Sequence, residues 1–142
     1  MTRNHPLNAY KETRIKTASQ GQLILMLYDE ALKQIDLAIK YLEQGSKQLD
    51  RVNNSAIRAQ EMITELLVSL DFDKGGEIAS NLFKLYMYFN QTLMEGNLKK
   101  DLNSFKQIRP MIADLRDTWA SVVSKAGTIE DNASGSGVDI AG

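Results

Sequence analysis

Few side chains in this 142-residue sequence are equipped for chemistry, and their spacing limits what they can do. The only imidazole is His5, next to Pro6 near the start of the chain. A Ser-His-Asp arrangement or a histidine metal site therefore has little to gather around. Di-metal helical bundles use a Glu-x-x-His motif on their helices, which is missing here, and a histidine phosphotransfer bundle needs its histidine on a helix. The absence of cysteine removes a disulfide framework, a thiolate zinc site and a cysteine nucleophile together. Glu61 and Glu65 stand one helical turn apart and could share a cation, but they read as a solvated pair on an outer face. Gly75-Gly76 ahead of a helical pattern invites a phosphate-cradle reading. It lacks both a preceding strand and the Gly-x-x-x-x-Gly-Lys frame that such a cradle requires. The sequence predicts no enzyme, no cofactor and no metal.

Elements rather than reactive groups carry the information. At 43% hydrophobic and 25% charged residues the composition is that of a folded globular chain, and the length suits one domain. A net charge of −1 gives no concentrated positive face for nucleic acid. The longest apolar run, Leu23 to Tyr28, is far short of the roughly 20 residues that span a bilayer. No basic-then-apolar secretory signal opens the chain, so a cytoplasmic protein is expected. Ile24, Leu27, Ala31, Ile35, Ala38 and Leu42 recur at spacings of three and four. They predict a helix over 20–44, capped by Ser19 with Gln22 and closed by Gly45. A second helix is expected from Asn53 or Asn54 to Asp71, with Ile57, Met62, Ile63, Leu66, Leu67 and Leu70 as its apolar stripe. After the breaker at Gly75-Gly76, a third should start near Glu77 and end at Gly96-Asn97, with Ile78, Leu82, Leu85, Phe89 and Leu93 inward. A fourth should begin around 98–101. Leu98, Leu102, Phe105, Ile112, Leu115, Trp119 and Val122 give it a bundle seam that Pro110 interrupts. The expected fold is all-α, an antiparallel up-down four-helix bundle over 19–125, with a loose N-terminal arm at 1–18 and an acidic Gly/Ser tail at 126–142.

Four helices do not need this much apolar surface. Leu23, Leu25, Met26, Leu32, Leu37 and Tyr41 lie outside or beside the first stripe, and Phe83, Tyr86, Met87 and Met94 lie beyond the third. A small bundle needs an apolar face only slightly over about 100° wide. The surplus either completes a broad core or lines a groove for an amphipathic segment of another protein. Adaptable methionines (Met26, Met62, Met87, Met94, Met111) and amphipathic tyrosines suit the groove.

The string itself resembles a known family. Thr17-Ala18-Ser19 followed by Leu23-Ile24-Leu25-Met26-Leu27-Tyr28-Asp29 is similar to the N-terminal signature of the FliS family, the flagellar secretion chaperones for flagellin. Ser69-Leu70-Asp71, Lys74-Gly75-Gly76-Glu77-Ile78-Ala79, Asn81-Leu82 and Leu85-Tyr86 resemble its central motif, and Arg116 through Trp119 its closing pattern. The resemblance covers about 8–124 and leaves out the tail after Ala126.

That resemblance implies an antiparallel bundle in the bacterial cytoplasm. It would bind the C-terminal segment of new flagellin, prevent early polymerisation and help present the guest to the membrane-embedded export gate. It implies flagellin contacts at Tyr10, which matches the family's N-terminal arm, and at Leu23, Leu27, Tyr28, Ile78, Ala79, Leu82 and Tyr86, which match motif positions. Read as residues alone, Leu27, Ile78 and Leu82 suit a core as well as a contact. The chain departs from the family pattern at Gln20, where proline is common, and at Met87, where relatives often carry an acid. Pro110 also bears on the fourth helix's side of any groove. A homodimer built through the surplus faces is the second expectation, and an enzyme or phosphotransfer domain a weak third.

Overall fold

A computed structural model describes residues 19–136, with backbone alone for Ser46 and for 126–136. Four helices account for nearly all of it: α1 Gln20–Glu43, α2 Leu49–Val68, α3 Phe72–Lys99 and α4 Leu102–Ser136, with a 3-10 turn at Ser46–Gln48. The fold is an all-α antiparallel four-helix bundle, as the periodicity predicts, with no strand among the described residues. The N-terminal arm at 1–18 and the tip of the tail at 137–142 lie outside the described residues. The backbone of α4 runs on past Ala126, where the tail is expected to begin, to Ser136.

The described chain divides into two units, residues 26–113 and the pair of end segments formed by 19–25 with 114–136. In the unit of the ends, the described residues begin at Ser19, whose hydroxyl accepts from the Gln22 N–H at 3.1 Å. This is the N-terminal cap read from the sequence. Further along, the Trp119 indole donates to the Gly21 carbonyl at 2.8 Å, and a Cβ at Gly21 would meet Val123 at 3.1 Å.

Within 26–113, polar bridges fix the register of the helices. Asn97 Nδ2 donates to Asn53 Oδ1 at 2.9 Å and Asn90 Nδ2 to Thr64 Oγ1 at 3.1 Å, so α2 and α3 run antiparallel. Arg109 grips Asp36 with two bonds of 2.9 and 3.1 Å, and Lys106 meets Glu43 at 3.2 Å, which sets α4 antiparallel to α1. These ion pairs are half exposed, so they specify register more than they stabilise. The interior is filled by Ile35, Val52, Met62, Ile63, Leu66, Phe89, Leu93, Phe105, Ile108 and Ile112.

Several boundaries differ from expectation, each for a local reason. Helix α2 starts at Leu49, ahead of Asn53, because nothing in the polar stretch before it forbids a helix and Asp50 suits the positive end of the dipole. Helix α3 starts at Phe72, where the Asp71 carboxylate caps the Lys74 N–H at 3.0 Å. The glycine pair kinks the helix instead of preceding it. Gly76 sits at φ 50° and ψ −123°, a conformation that a side chain opposes.

The same helix runs through Gly96 and ends at Lys99, with Lys100 in the left-handed region at φ 51°. Gly96 is buried, and a Cβ there would stand 2.8 Å from the Ser104 Cβ and 3.3 Å from the Phe105 ring. It lets two backbones approach and does not end the helix. A Gly96→Ala substitution is therefore expected to destabilise by about 1–3 kcal/mol through overpacking, despite alanine's higher helix propensity. Urea unfolding measures it, and a stabilised variant would contradict the close approach. Helix α4 stays helical across Pro110, which is exposed, so the Lys106 carbonyl that loses its bond can be hydrated.

Candidate functional site

The motif residues are mostly interior. Leu23, Leu27, Tyr28, Ala79 and Tyr86 are buried, Leu82 is half-buried and Ile78 is exposed. Leu23 belongs to the unit of the ends, and Tyr10 lies outside the described residues. Tyr28 on α1 and Tyr86 on α3 share a hydroxyl–hydroxyl bond of 2.5 Å, with ring centroids 6.4 Å apart. Each buried ring needs a partner for its polar tip, and each supplies the other's.

Burial pushes both phenols above their ordinary value, and for Tyr86 the neighbouring Tyr28 adds to the effect. A raised value in the folded chain favours the neutral form. Stability is then full below the unfolded value of about 10 and is lost as pH rises beyond it. The melting temperature is expected to fall above about pH 10. A Tyr28→Phe/Tyr86→Phe pair should flatten that alkaline fall at small cost, because both polar groups leave together. Tyr86→Phe alone strands the Tyr28 hydroxyl and should cost about 1–3 kcal/mol. Thermal melts between pH 7 and 11 would check this, and an unchanged alkaline slope in the double variant would count against it.

The open apolar surface comes from other residues. Helix α1 keeps Leu25, Met26, Leu32, Leu37 and Tyr41 at least half-covered, so its surplus goes into the fold. Helix α3 does not. Phe83, Met87, Asn90 and Met94 follow one another at spacings of four, three and four, which places them on one stripe, and Leu98 continues it. Met87 is 49% exposed, Met94 47% and Leu98 77%. Ile57, Glu61, Thr64 and Val68 repeat the same spacing on α2, with Ile57 and Val68 open. The Asn90–Thr64 bond sets the two stripes side by side. By that register Ile57 falls near the level of Leu98, and Val68 near the level of Met87. Phe72 packs edge-on against Phe83, with centroids 6.1 Å apart, and remains half exposed.

The result is a ribbon of apolar side chains along two antiparallel helices, interrupted by Glu61 and by the Asn90–Thr64 bridge. Ile57, Ile78 and Leu98, expected to face inward, are exposed on α2 and α3, and Val122 is exposed on α4. Phe83, Met87 and Met94 were legible as surplus, whereas Phe72, Val68 and Leu98 were not singled out for this face.

Such a ribbon can hold an amphipathic segment through shape and apolar contact, and it offers nothing for bond-making chemistry. Among the described residues no three acidic or histidine side chains gather as a metal site would require, and no helix is long and apolar enough to cross a membrane. The family model for the flagellar protein FliS matches residues 3–126. This chain belongs to the FliS family. The match extends over most of the sequence, and the family consists of flagellar secretion chaperones and not enzymes. The chain is similar to the flagellar secretion chaperone FliS of Bacillus subtilis, at 31% identity over 87% of this chain and 90% of that protein. The FliS of Salmonella typhimurium is 32% identical over 81% of this chain and 84% of its own length. The Escherichia coli FliS is 29% identical over 84% and 88%. The role that follows from membership is that of a chaperone in flagellar export.

Proposed function

We propose that this FliS-family chain is a cytoplasmic export chaperone that binds the C-terminal segment of flagellin. It would keep that segment from polymerising early and deliver it toward the membrane-embedded export gate. The observation that carries this reading is the α2–α3 ribbon. Phe72, Phe83, Met87, Met94 and Leu98, with Ile57 and Val68, leave apolar area that the described chain does not cover. A helix laid in a groove is read at positions i, i+3 or i+4 and i+7, the same spacing this ribbon presents. Folding a disordered guest onto it costs roughly 2–5 kcal/mol or more of the gross interaction, so a long ribbon suits the task better than a small pocket.

Among the motif residues, Ile78 and Leu82 offer surface to such a guest directly. Leu27, Tyr28, Ala79 and Tyr86 support the helices from beneath. Tyr10 and Leu23 complete the proposed set by their match to the family motif.

The test is calorimetric titration of the full chain with a peptide from the flagellin C-terminus, accompanied by light scattering. Heat release with a stoichiometry of about one to one is expected, as for a groove that takes one helical segment at a time. A chain that stays dimeric over a concentration series and ignores the peptide would overturn this reading in favour of self-association.

A further inference from the structure

The described methionine residues are unequally sheltered. Met62 on α2 is 1% exposed, whereas Met87 and Met94 on α3 are 49% and 47% exposed. The exposed two lie two helical turns apart on one face, flanked along the stripe by Phe83 and Leu98. A thioether reacts with oxidants according to its access to solvent. We infer that Met87 and Met94 form a methionine-oxidation site, whose conversion to sulfoxide by a hydroperoxide-class oxidant weakens docking on the α2–α3 ribbon.

The docking half of this inference rests on the proposed function, while the oxidation site itself does not. In the reaction the thioether sulfur attacks one peroxide oxygen and loses two electrons to the breaking O–O bond. A sulfur–oxygen bond forms, and the second oxygen departs, protonated, as water from hydrogen peroxide or as an alcohol from an alkyl hydroperoxide. The product replaces a soft apolar side chain with a strong dipole. Pressed against an apolar guest helix, that dipole finds no donor, and burying an unpaired polar group opposes binding. The fold itself is spared, because Met62, the methionine that fills the interior, is out of reach. Enzymatic sulfoxide reduction can return the thioether, so the change is reversible.

The experiment treats the full chain with hydrogen peroxide and maps oxygen addition by peptide mass spectrometry. It then measures binding of a labelled flagellin C-terminal peptide. Met87 and Met94 are expected to oxidise well before Met62, and the treated chain to bind at least about tenfold more weakly with its helical content intact. A Met87→Leu/Met94→Leu variant serves as its own reference, through the ratio of treated to untreated affinity. That ratio should move by less than about threefold, although Met111, 36% exposed, can still oxidise. Oxidation of Met62 in step with the other two would overturn the site. Undiminished binding after oxidation, or equal sensitivity in the leucine variant, would overturn its effect on docking. An untreated chain that ignores the peptide would instead refute the proposed function and the docking half with it. The oxygen map would still decide the site.

Discussion

A Met87→Glu/Met94→Glu double substitution is expected to abolish capture of the flagellin segment, weakening binding at least about a hundredfold, while the chaperone stays folded. Both side chains are about half exposed and lie outside the interior set, so removing them opens no cavity. Glutamate is a good helix former, and substitutions on open surface usually change stability by no more than about 0.5 kcal/mol. The melting temperature should therefore stay within about 4 °C of the native chain. A charge forced against an apolar guest must either lose its hydration or hold the guest away, and either outcome costs most of the contact. Calorimetry with the flagellin peptide and a thermal melt give the two readings. Binding at native affinity would remove the ribbon from the docking surface, and a collapsed melt would place these residues in the core.

The opposite pattern is expected two positions beyond Met87. Phe89 is fully buried, with ring centroids 6.5 Å from Tyr86 and 6.0 Å from Tyr88. Phe89→Ala should cost about 3–5 kcal/mol, from lost transfer energy and the cavity left behind. Against a typical total of about 5–15 kcal/mol, that is a large share of the stability. Urea unfolding should show the midpoint falling steeply, and a loss below about 1 kcal/mol would mean that the site collapses to fill the void. Helix α3 is thus expected to carry two faces with opposite sensitivities, one for the proposed docking surface and one for the fold.

That division explains what the sequence made legible. Four helices, the Ser19 cap and the inward phase of Ala31, Ile35, Phe89 and Leu93 follow from periodicity and capping chemistry alone. The surplus on α3 at Phe83, Met87 and Met94 was also visible, because residues outside the inward stripe of an amphipathic helix must face something else. The tyrosine pair was not. Tyr28 and Tyr86 are 58 positions apart, and no local rule says that one hydroxyl will satisfy the other in the interior.

Glycines misled for a related reason. Gly96 was expected to end a helix, yet its lack of a side chain serves Ser104 and Phe105 on the neighbouring helix. Gly76 was expected to separate two elements, yet its positive φ bends one helix whose first turn Asp71 caps. Propensity describes a residue's own backbone and carries no information about the atoms that approach it. Motif membership had a similar limit at the candidate site, since Tyr28, Ala79 and Tyr86 are interior whereas Ile78 in the same motif is open.

The indole of Trp119, bonded to the Gly21 carbonyl, is the only tryptophan in the chain. Ultraviolet emission excited at the red edge therefore reports on the pairing of the segments around Gly21 and Trp119. A melt followed by that light and one followed by far-ultraviolet dichroism interrogate different portions of the polypeptide. Where the two curves part, the ends have let go before the remainder.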